Sequence, residues 1–383
     1  MPLELRLIAF LVLAATPLVA HAAPASNVVF VTMDGLRWQE IFRGADANLL
    51  KDERYTPKEF ATFQSHQQVG AVQARAQLMP FFWNTIVPRG SVVGDRDNGG
   101  PMNVSNPWWF SYPGYNEMLT GVADPAVDSN DKRWNKNVTV LEWLNKQHGF
   151  ENHVRAYSSW EVFSYIVNTQ RSGVVVNEAF VSVTDRPTQL EQWLNRLQAQ
   201  LAKPWPWVRH DAITHNYALE ALRSRKTRVL YIGYGEADDF GHDGKYAQYL
   251  EAIRRFDGFL QEIWETVQTD PFYRDRTVLL ITTDHGRGDL PLESWIDHSS
   301  KRATQGSESQ AAKYPNGVVG SDQVWFAALG PGIAPHGSMK TSTPYRLSQV
   351  TGTLLQALGF RAADFSARAD EPIAAVFEHS PQP

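Results

Sequence analysis

An α/β fold built on a mostly parallel sheet is what the sequence predicts, and three observations predict it. Residues 27–33, 228–232 and 278–281 are continuous apolar runs, the pattern of strands covered on both faces rather than of a strand with one wet side. Segments with apolar residues at helical spacing lie between them, so strand and helix alternate along the chain. Each run is followed by carboxylates, and the carboxyl ends of parallel strands are where such sheets place their sites.

The elements follow in order. Residues 1–22 combine Arg6, an apolar run over 7–19 and Ala20-His21-Ala22, with small residues where a signal peptidase reads. The chain is therefore expected to be exported, to the periplasm or the medium, as a single catalytic domain over residues 23–383. The run is short for a membrane span, and no later stretch approaches one. Strand 27–33 ends in Asp34-Gly35, and residues 42–73 are polar and irregular, a loop with short helices. Trp108 and Trp109 lead into Ser111, and Pro113 with residues 115–119 predicts a short helix beginning just after the serine. Ser111 is then either its N-cap or a hydroxyl at an electropositive helix end, suited to a phosphate-bearing nucleophile.

Residues 137–146 read as an amphipathic helix with Val140, Leu141 and Leu144 on one face, followed by a strand over 154–157. Residues 188–201 and 213–223 read as helices, and Pro204-Trp205-Pro206-Trp207 between them as a loop able to separate a cap from the main body. Strand 228–232 leads to Asp238 and His242, four residues apart across a turn containing Gly241. A long amphipathic helix over 246–267 follows, with Tyr249, Ile253, Phe256, Leu260 and Ile263 inward. The third strand delivers Asp284-His285-Gly286. Residues 299–317 are polar enough for an exposed loop, 323–329 form another core strand, and 347–358 a closing helix with Gly359 as its C′ residue.

The 383 residues are ample for a large core, and the apolar and charged fractions exclude disorder. Cysteine is absent, so there is no disulfide framework and any metal must be held by imidazole and carboxylate. A formal charge of −5 without a basic run argues against a nucleic acid polymer as partner. Thirteen Trp is a high count, and Trp38, Trp108, Trp109, Trp160 and Trp295 lie near the motifs, as core aromatics or as site walls.

Collected, the strand-end candidates are Asp34, Asp238, His242, Asp284, His285 and His298, with Ser111 as a hydroxyl of the same setting. Mixed Asp and His without Cys suits zinc, with other divalent ions possible. Six ligands are too many for one zinc ion and about right for two.

In chain order, Val31-Thr32-Met33-Asp34-Gly35, Ser111-Tyr112-Pro113-Gly114, Asp238-Asp239-Phe240-Gly241-His242, Thr283-Asp284-His285-Gly286 and Trp295-Ile296-Asp297-His298 resemble the alkaline phosphatase superfamily. Within it the branch of nucleotide pyrophosphatases/phosphodiesterases and related bacterial phosphatases is most similar, over about residues 27–359. The resemblance implies a three-layer α/β/α sandwich around a mostly parallel sheet, with loop or cap insertions. It implies a metal-dependent phosphoric ester hydrolase acting on a small phosphate ester with two Zn2+. Asp238, His242 and His298 would hold one ion, and Asp34, Asp284 and His285 the second, which also binds the Ser111 oxygen. Ser111 would attack phosphorus to give a phosphoseryl enzyme that water hydrolyses.

Asn130 is the candidate for holding a phosphoryl oxygen, or else a plain turn residue, and His336 is the fallback for His298. The phosphodiesterase branch commonly has Thr-Phe-Pro-Asn where this chain has Ser-Tyr-Pro-Gly. A sulfatase of the same fold needs Arg at the position of Tyr115, and alkaline phosphatase proper has an Arg in its serine helix. With neither present, a diesterase or a broad phosphatase is expected. Arg287 or Lys301 could meet the phosphoryl group, and Trp108, Trp109 and Tyr112 could stack an aromatic leaving group. A non-catalytic exported binding protein of the same fold would be marked by a lost ligand, and none is lost.

Overall fold

Asn27–Met33 (β1) is buried at all seven positions, and its side chains divide between two cores. Val29, Val31 and Met33 join one hydrophobic cluster, Val28 and Phe30 the other. The computed structural model describes residues 24–58, 63 and 69–377, so the expected signal segment lies outside the described residues. The further strands are β2 (Ser91–Val93), β3 (Met102–Asn103), β4 (Val154–Ser158), β5 (Val175–Glu178), β6 (Val229–Tyr234), β7 (Thr277–Thr282), β8 (Gln323–Val324), β9 (Phe326–Leu329), β10 (Gly337–Ser338) and β11 (Tyr345–Arg346). Eight of them form the main sheet in the order β10-β2-β9-β7-β1-β6-β4-β5, and β11-β3-β8 form a small second sheet.

The three apolar runs of the sequence are neighbours at the sheet centre. β1 pairs in parallel with β6 and β7, with Thr32 level with Gly233 on one side and Thr282 on the other. The sheet is mostly parallel, β9 running antiparallel to β7 and β2. Helices cover both faces. Trp38–Arg43, Asp211–Arg225 and Tyr246–Thr269 bury one cluster, while Ser111–Thr120, Val140–Asn145 and Gln349–Ala357 bury the other. This is the expected α/β/α sandwich, and full burial of each Val or Leu in it is worth about 1.5–3 kcal/mol.

Three expectations are corrected. Residues 323–329 are two strands, because Trp325 leaves the ladder to put its indole into the core, where Nε1 donates to the Leu36 carbonyl at 3.1 Å. Residues 299–317 contain two short helices, Lys301–Thr304 and Glu308–Lys313, whose N-termini are capped by the Ser300 and Ser307 hydroxyls. Asp238 and His242 lie on a helix, Glu236–His242, rather than across a turn. Pro204-Trp205-Pro206-Trp207 is the loop expected between two helices, Gln189–Gln200 and Asp211–Arg225. That segment bridges back to the end of β4 through Trp160 and Val208, with Glu161 N–H donating to the Trp207 carbonyl at 3.1 Å.

Candidate active site

The site is assembled at the carboxyl ends of β1, β6 and β7. Asp34 directly follows β1, Asp284 and His285 follow β7, and the helix after β6 carries Asp238 and His242 one turn apart, which puts them on one face. Among the described residues, two groups have ligand atoms within 4.8 Å of one another: Asp34, Asp284 and His285, fully buried, and Asp238, His242 and His298, more open. These are the two triplets expected from the sequence. His285 Nε2 joins them, lying 3.3 Å from Asp34 Oδ1, 3.4 Å from Asp284 Oδ2 and 4.0 Å from Asp238 Oδ1. His336 is exposed before β10 and belongs to neither group.

Each carboxylate has one oxygen committed to the protein and the other turned inward. Asp34 Oδ2 accepts from the Tyr115 hydroxyl at 3.0 Å, Asp284 Oδ1 from the Gly35 amide at 3.1 Å, and Asp238 Oδ1 from Arg287. Asp284 Oδ2 is buried and has no hydrogen-bond partner. The imidazoles are oriented in the same way: His285 Nδ1 donates to the Gly286 carbonyl at 2.8 Å and His298 Nδ1 to the Trp109 carbonyl at 3.3 Å, turning each Nε2 towards the carboxylates. His242 Nε2 and His298 Nε2 then face each other at 3.1 Å.

Converging carboxylate oxygens and imidazole Nε2 atoms, with one buried carboxylate oxygen left unpaired, fit divalent cations that would take the place of the imidazole protons, since leaving that oxygen unpaired costs about 1–3 kcal/mol. The electrostatics agree. Burial first, and then the Asp34 charge, hold the Asp284 carboxyl well above its ordinary range. Burial first and Asp238 next push Asp239 up to about 8. Burial works against the His285 imidazolium, but Asp284, Asp34 and Asp238 outweigh it and raise that group to about 10. Asp238 differs: burial opposes its charge, yet His242 and Arg287 hold it well below the usual carboxylate range. Asp284 has His285 and the Gly35 amide to offset burial and Asp34, whereas Asp238 has a fixed guanidinium.

Ser111 is the first residue of the Ser111–Thr120 helix. Phe110 holds the cap position, so the N-cap reading of the serine is excluded. Its Oγ lies 3.3 Å from His285 Nε2 and 3.4 Å from Asp34 Oδ1, at the edge of the buried triplet. Gly114 makes this approach possible, because a Cβ there would lie 2.4 Å from the Asp284 carbonyl oxygen. Tyr115, at the position where a sulfatase would need Arg, instead holds Asp34. Trp109 adopts φ 59°, a left-handed conformation uncommon for a bulky residue, and its carbonyl is the one that orients His298.

A cavity of about 290 Å³ opens over Ser111, lined by Asp34, Asn130, His242, His298 and an aromatic wall of Trp160, Trp205 and Trp207. The Asn130 Oδ1 accepts from the Tyr112 amide at 2.9 Å, which fixes its side chain beside the serine. The wall differs from the expected one. Trp108 instead donates from Nε1 to the Pro125 carbonyl at 3.0 Å and packs against the Arg302 guanidinium, and the Tyr112 hydroxyl donates to the Arg133 carbonyl. Trp295 and Trp38 are core residues. The sequence signal for the true wall is Pro204-Trp205-Pro206-Trp207, four residues too rigid and too aromatic for an ordinary linker. Arg287, expected as a phosphoryl ligand, is fully buried and does not line the cavity, and Lys301 is exposed in its own short helix.

Known proteins share parts of this arrangement. The Metalloenzyme superfamily model matches residues 209–301, which carry Asp238, His242, Asp284, His285 and His298 but neither Asp34 nor Ser111. Wild-type alkaline phosphatase PafA superposes with a TM-score of 0.58 at 10% identity, over 93% of this chain and 99% of that one. BT1596, a 2-O GAG sulfatase, superposes with 0.50 at 13%, over 94% and 76%. The probable 2,3-bisphosphoglycerate-independent phosphoglycerate mutase of Leptospira interrogans is 27% identical over 148 residues, 38% of this chain and 25% of the mutase. The mutase of Trypanosoma brucei brucei is 27% identical over 200 residues, 52% and 32%. The chain thus spans about a quarter to a third of the length of these curated relatives. The fold is alkaline phosphatase-like, as the sequence resemblance implied, and residues 209–301 match the Metalloenzyme superfamily model.

Proposed function

We propose that this protein is an exported phosphoric ester hydrolase, a single catalytic domain over residues 23–383, that acts through Ser111 at a two-zinc site. The observation that carries the reading is the place of Ser111 Oγ, within 3.4 Å of both His285 Nε2 and Asp34 Oδ1 and open to the cavity. Asp34, Asp284 and His285 would hold one ion and Asp238, His242 and His298 the other. Bound there, they would supply Lewis-acid stabilisation of charge on the attacking and leaving oxygens.

The chain's own residues do the rest. Ser111 Oγ loses its proton and bonds to phosphorus as the ester P–O bond breaks, the departing oxygen takes up a proton, and water then cleaves the phosphoserine P–O bond to release the phosphate and restore the Ser111 hydroxyl. The positive end of the Ser111–Thr120 helix favours the anionic group. Asn130, its carbonyl oxygen committed to Tyr112 N–H, has its amide NH2 left to donate to a phosphoryl oxygen. Imidazole-rich sites favour zinc over magnesium. Among the described residues no helix is long and apolar enough to cross a membrane.

The test is turnover by metal-reconstituted protein of an aryl phosphate monoester, a nucleoside diester, an aryl sulfate and 3-phosphoglycerate. Phosphate ester hydrolysis is expected. Turnover of the sulfate alone, or isomerisation of phosphoglycerate without release of phosphate, would move the protein to another reaction.

The aromatic wall carries a narrower prediction. Trp207 is 46% exposed, yet its indole N–H is pinned to Asp239 Oδ1 at 3.0 Å, so a ring is held out at the cavity mouth. Trp207→Ala is expected to lower kcat/KM for phenyl phosphate relative to methyl phosphate by roughly 2- to 13-fold, the value of about 0.5–1.5 kcal/mol of aromatic contact. Equal losses on both substrates would remove Trp207 from the substituent site.

A further inference from the structure

Arg287 follows Asp284-His285-Gly286 in the chain, but its guanidinium reaches the other triplet. The side chain is fully buried, Nη1 donates to Asp238 Oδ1, Nε to the Trp295 carbonyl at 2.8 Å, and Nη2 to the Ile296 carbonyl. The two oxygens of Asp238 are thereby divided. Oδ1 is held by Arg287, while Oδ2 lies 3.2 Å from His242 Nε2 and 4.0 Å from His298 Nε2. The segment held through its carbonyls, Trp295-Ile296, runs on through Asp297 directly to His298.

The space around this group is shaped for it. A Cβ on Gly241 would lie 2.6 Å from Arg287 Cζ and Nε, and a Cβ on Gly35 would lie 3.0 Å from Nη1 and 2.4 Å from Asp238 Oδ1. Gly241 is helical, so its requirement is for room and not for an unusual backbone. The glycines beside Asp34 and His242 leave the slot that the guanidinium fills.

We propose that Arg287 is a positioning residue for the Asp238/His242/His298 ion, an inference that rests on the two-ion reading above. It takes one oxygen of Asp238, turns the other towards the two imidazoles, and fixes the segment that delivers His298. The guanidinium fork makes these three bonds in one plane, and a lysine ammonium of the same charge cannot span them. Charge alone makes the opposite forecast for a neutral replacement. A cation beside a metal site repels the ion, so a purely electrostatic role predicts tighter binding when the charge is removed, whereas positioning predicts weaker binding.

The experiment is zinc titration of the full-length protein against a competing chelator, with cobalt absorption as a second readout, on wild type, Arg287→Lys, Arg287→Gln and Gly241→Ala. Wild type is expected to take up two ions. In each variant one of them should bind about 10- to 100-fold more weakly, the range seen when partners of metal ligands are lost, with the other unchanged. Gly241→Ala leaves Arg287 in the sequence and only displaces it, so it carries the test where the arginine variants are poorly folded. Unchanged affinities for both ions, with only a lower melting temperature of the metal-free protein, would make Arg287 a structural residue and overturn the inference. Fewer than two ions in wild type would overturn the two-ion reading itself, before any variant is compared.

Discussion

Ser111→Ala is expected to keep the fold and both ligand triplets and to lose turnover by on the order of 10³-fold or more. An oriented nucleophile supplies several kcal/mol of barrier reduction, and each 1.36 kcal/mol is about tenfold. Stability should change little, because Ser111 occupies the first helical position and makes no capping bond, so the loss of about 1 kcal/mol that follows removal of an N-cap does not apply. Ser111→Thr should retain part of the activity, since threonine also offers a hydroxyl at this place and is common there in the phosphodiesterases that the segment resembles. The measurement is kcat at saturating metal together with a thermal melt of each variant. A stable Ala variant that still turns over at the wild-type rate would falsify the nucleophile.

The second large effect is expected from the metal. Prolonged chelation should abolish turnover, and zinc should restore it at least as well as magnesium. It should also lower the melting temperature by several degrees, because an ion present at a thousand times its dissociation constant stabilises the fold by about 4 kcal/mol. Asp284→Asn separates the two states of the protein. Burial and the neighbouring Asp34 make the Asp284 carboxylate charge unfavourable in the metal-free fold, and its Oδ2 has no partner there. Asn is neutral without the cost of protonating a buried carboxylate, so the replacement should raise the melting temperature of the stripped protein while abolishing its response to zinc and its activity. A stripped Asp284→Asn variant that melts lower than stripped wild type, or one that zinc still stabilises as before, would contradict this account of the site.

Much of the site is legible in the sequence because strand-end chemistry is local. Asp34 after β1, Asp284-His285 after β7 and the Asp238/His242 spacing after β6 each lie within a few residues of an apolar run that only a doubly covered strand explains. Trp205 and Trp207 read as part of a linker because a Pro-Trp-Pro-Trp segment has no period. What makes it a wall is the bridge from the next residue, Val208, to Trp160, more than 40 residues earlier in the chain. The short helices after Ser300 and Ser307 escape a sequence reading for the opposite reason. Their capping serines are visible, but with little apolar content to back them the polar composition dominates.

By itself the sequence determined the α/β class, the three central strands and the residue types at their ends, because hydrophobic period and strand-end position are properties of neighbouring residues. Which strands are adjacent, and hence that Asp34, Asp238 and Asp284 surround one imidazole, was decided by the order β7-β1-β6. The tertiary structure alone also decided the place of Arg287. A cation three residues after Asp284 reads as a ligand for phosphate, but the slot left by Gly35 and Gly241 and the two carbonyls ahead of His298 draw it inward to Asp238. Those partners lie 49 residues back and 8 to 9 residues on, and only packing brings them together.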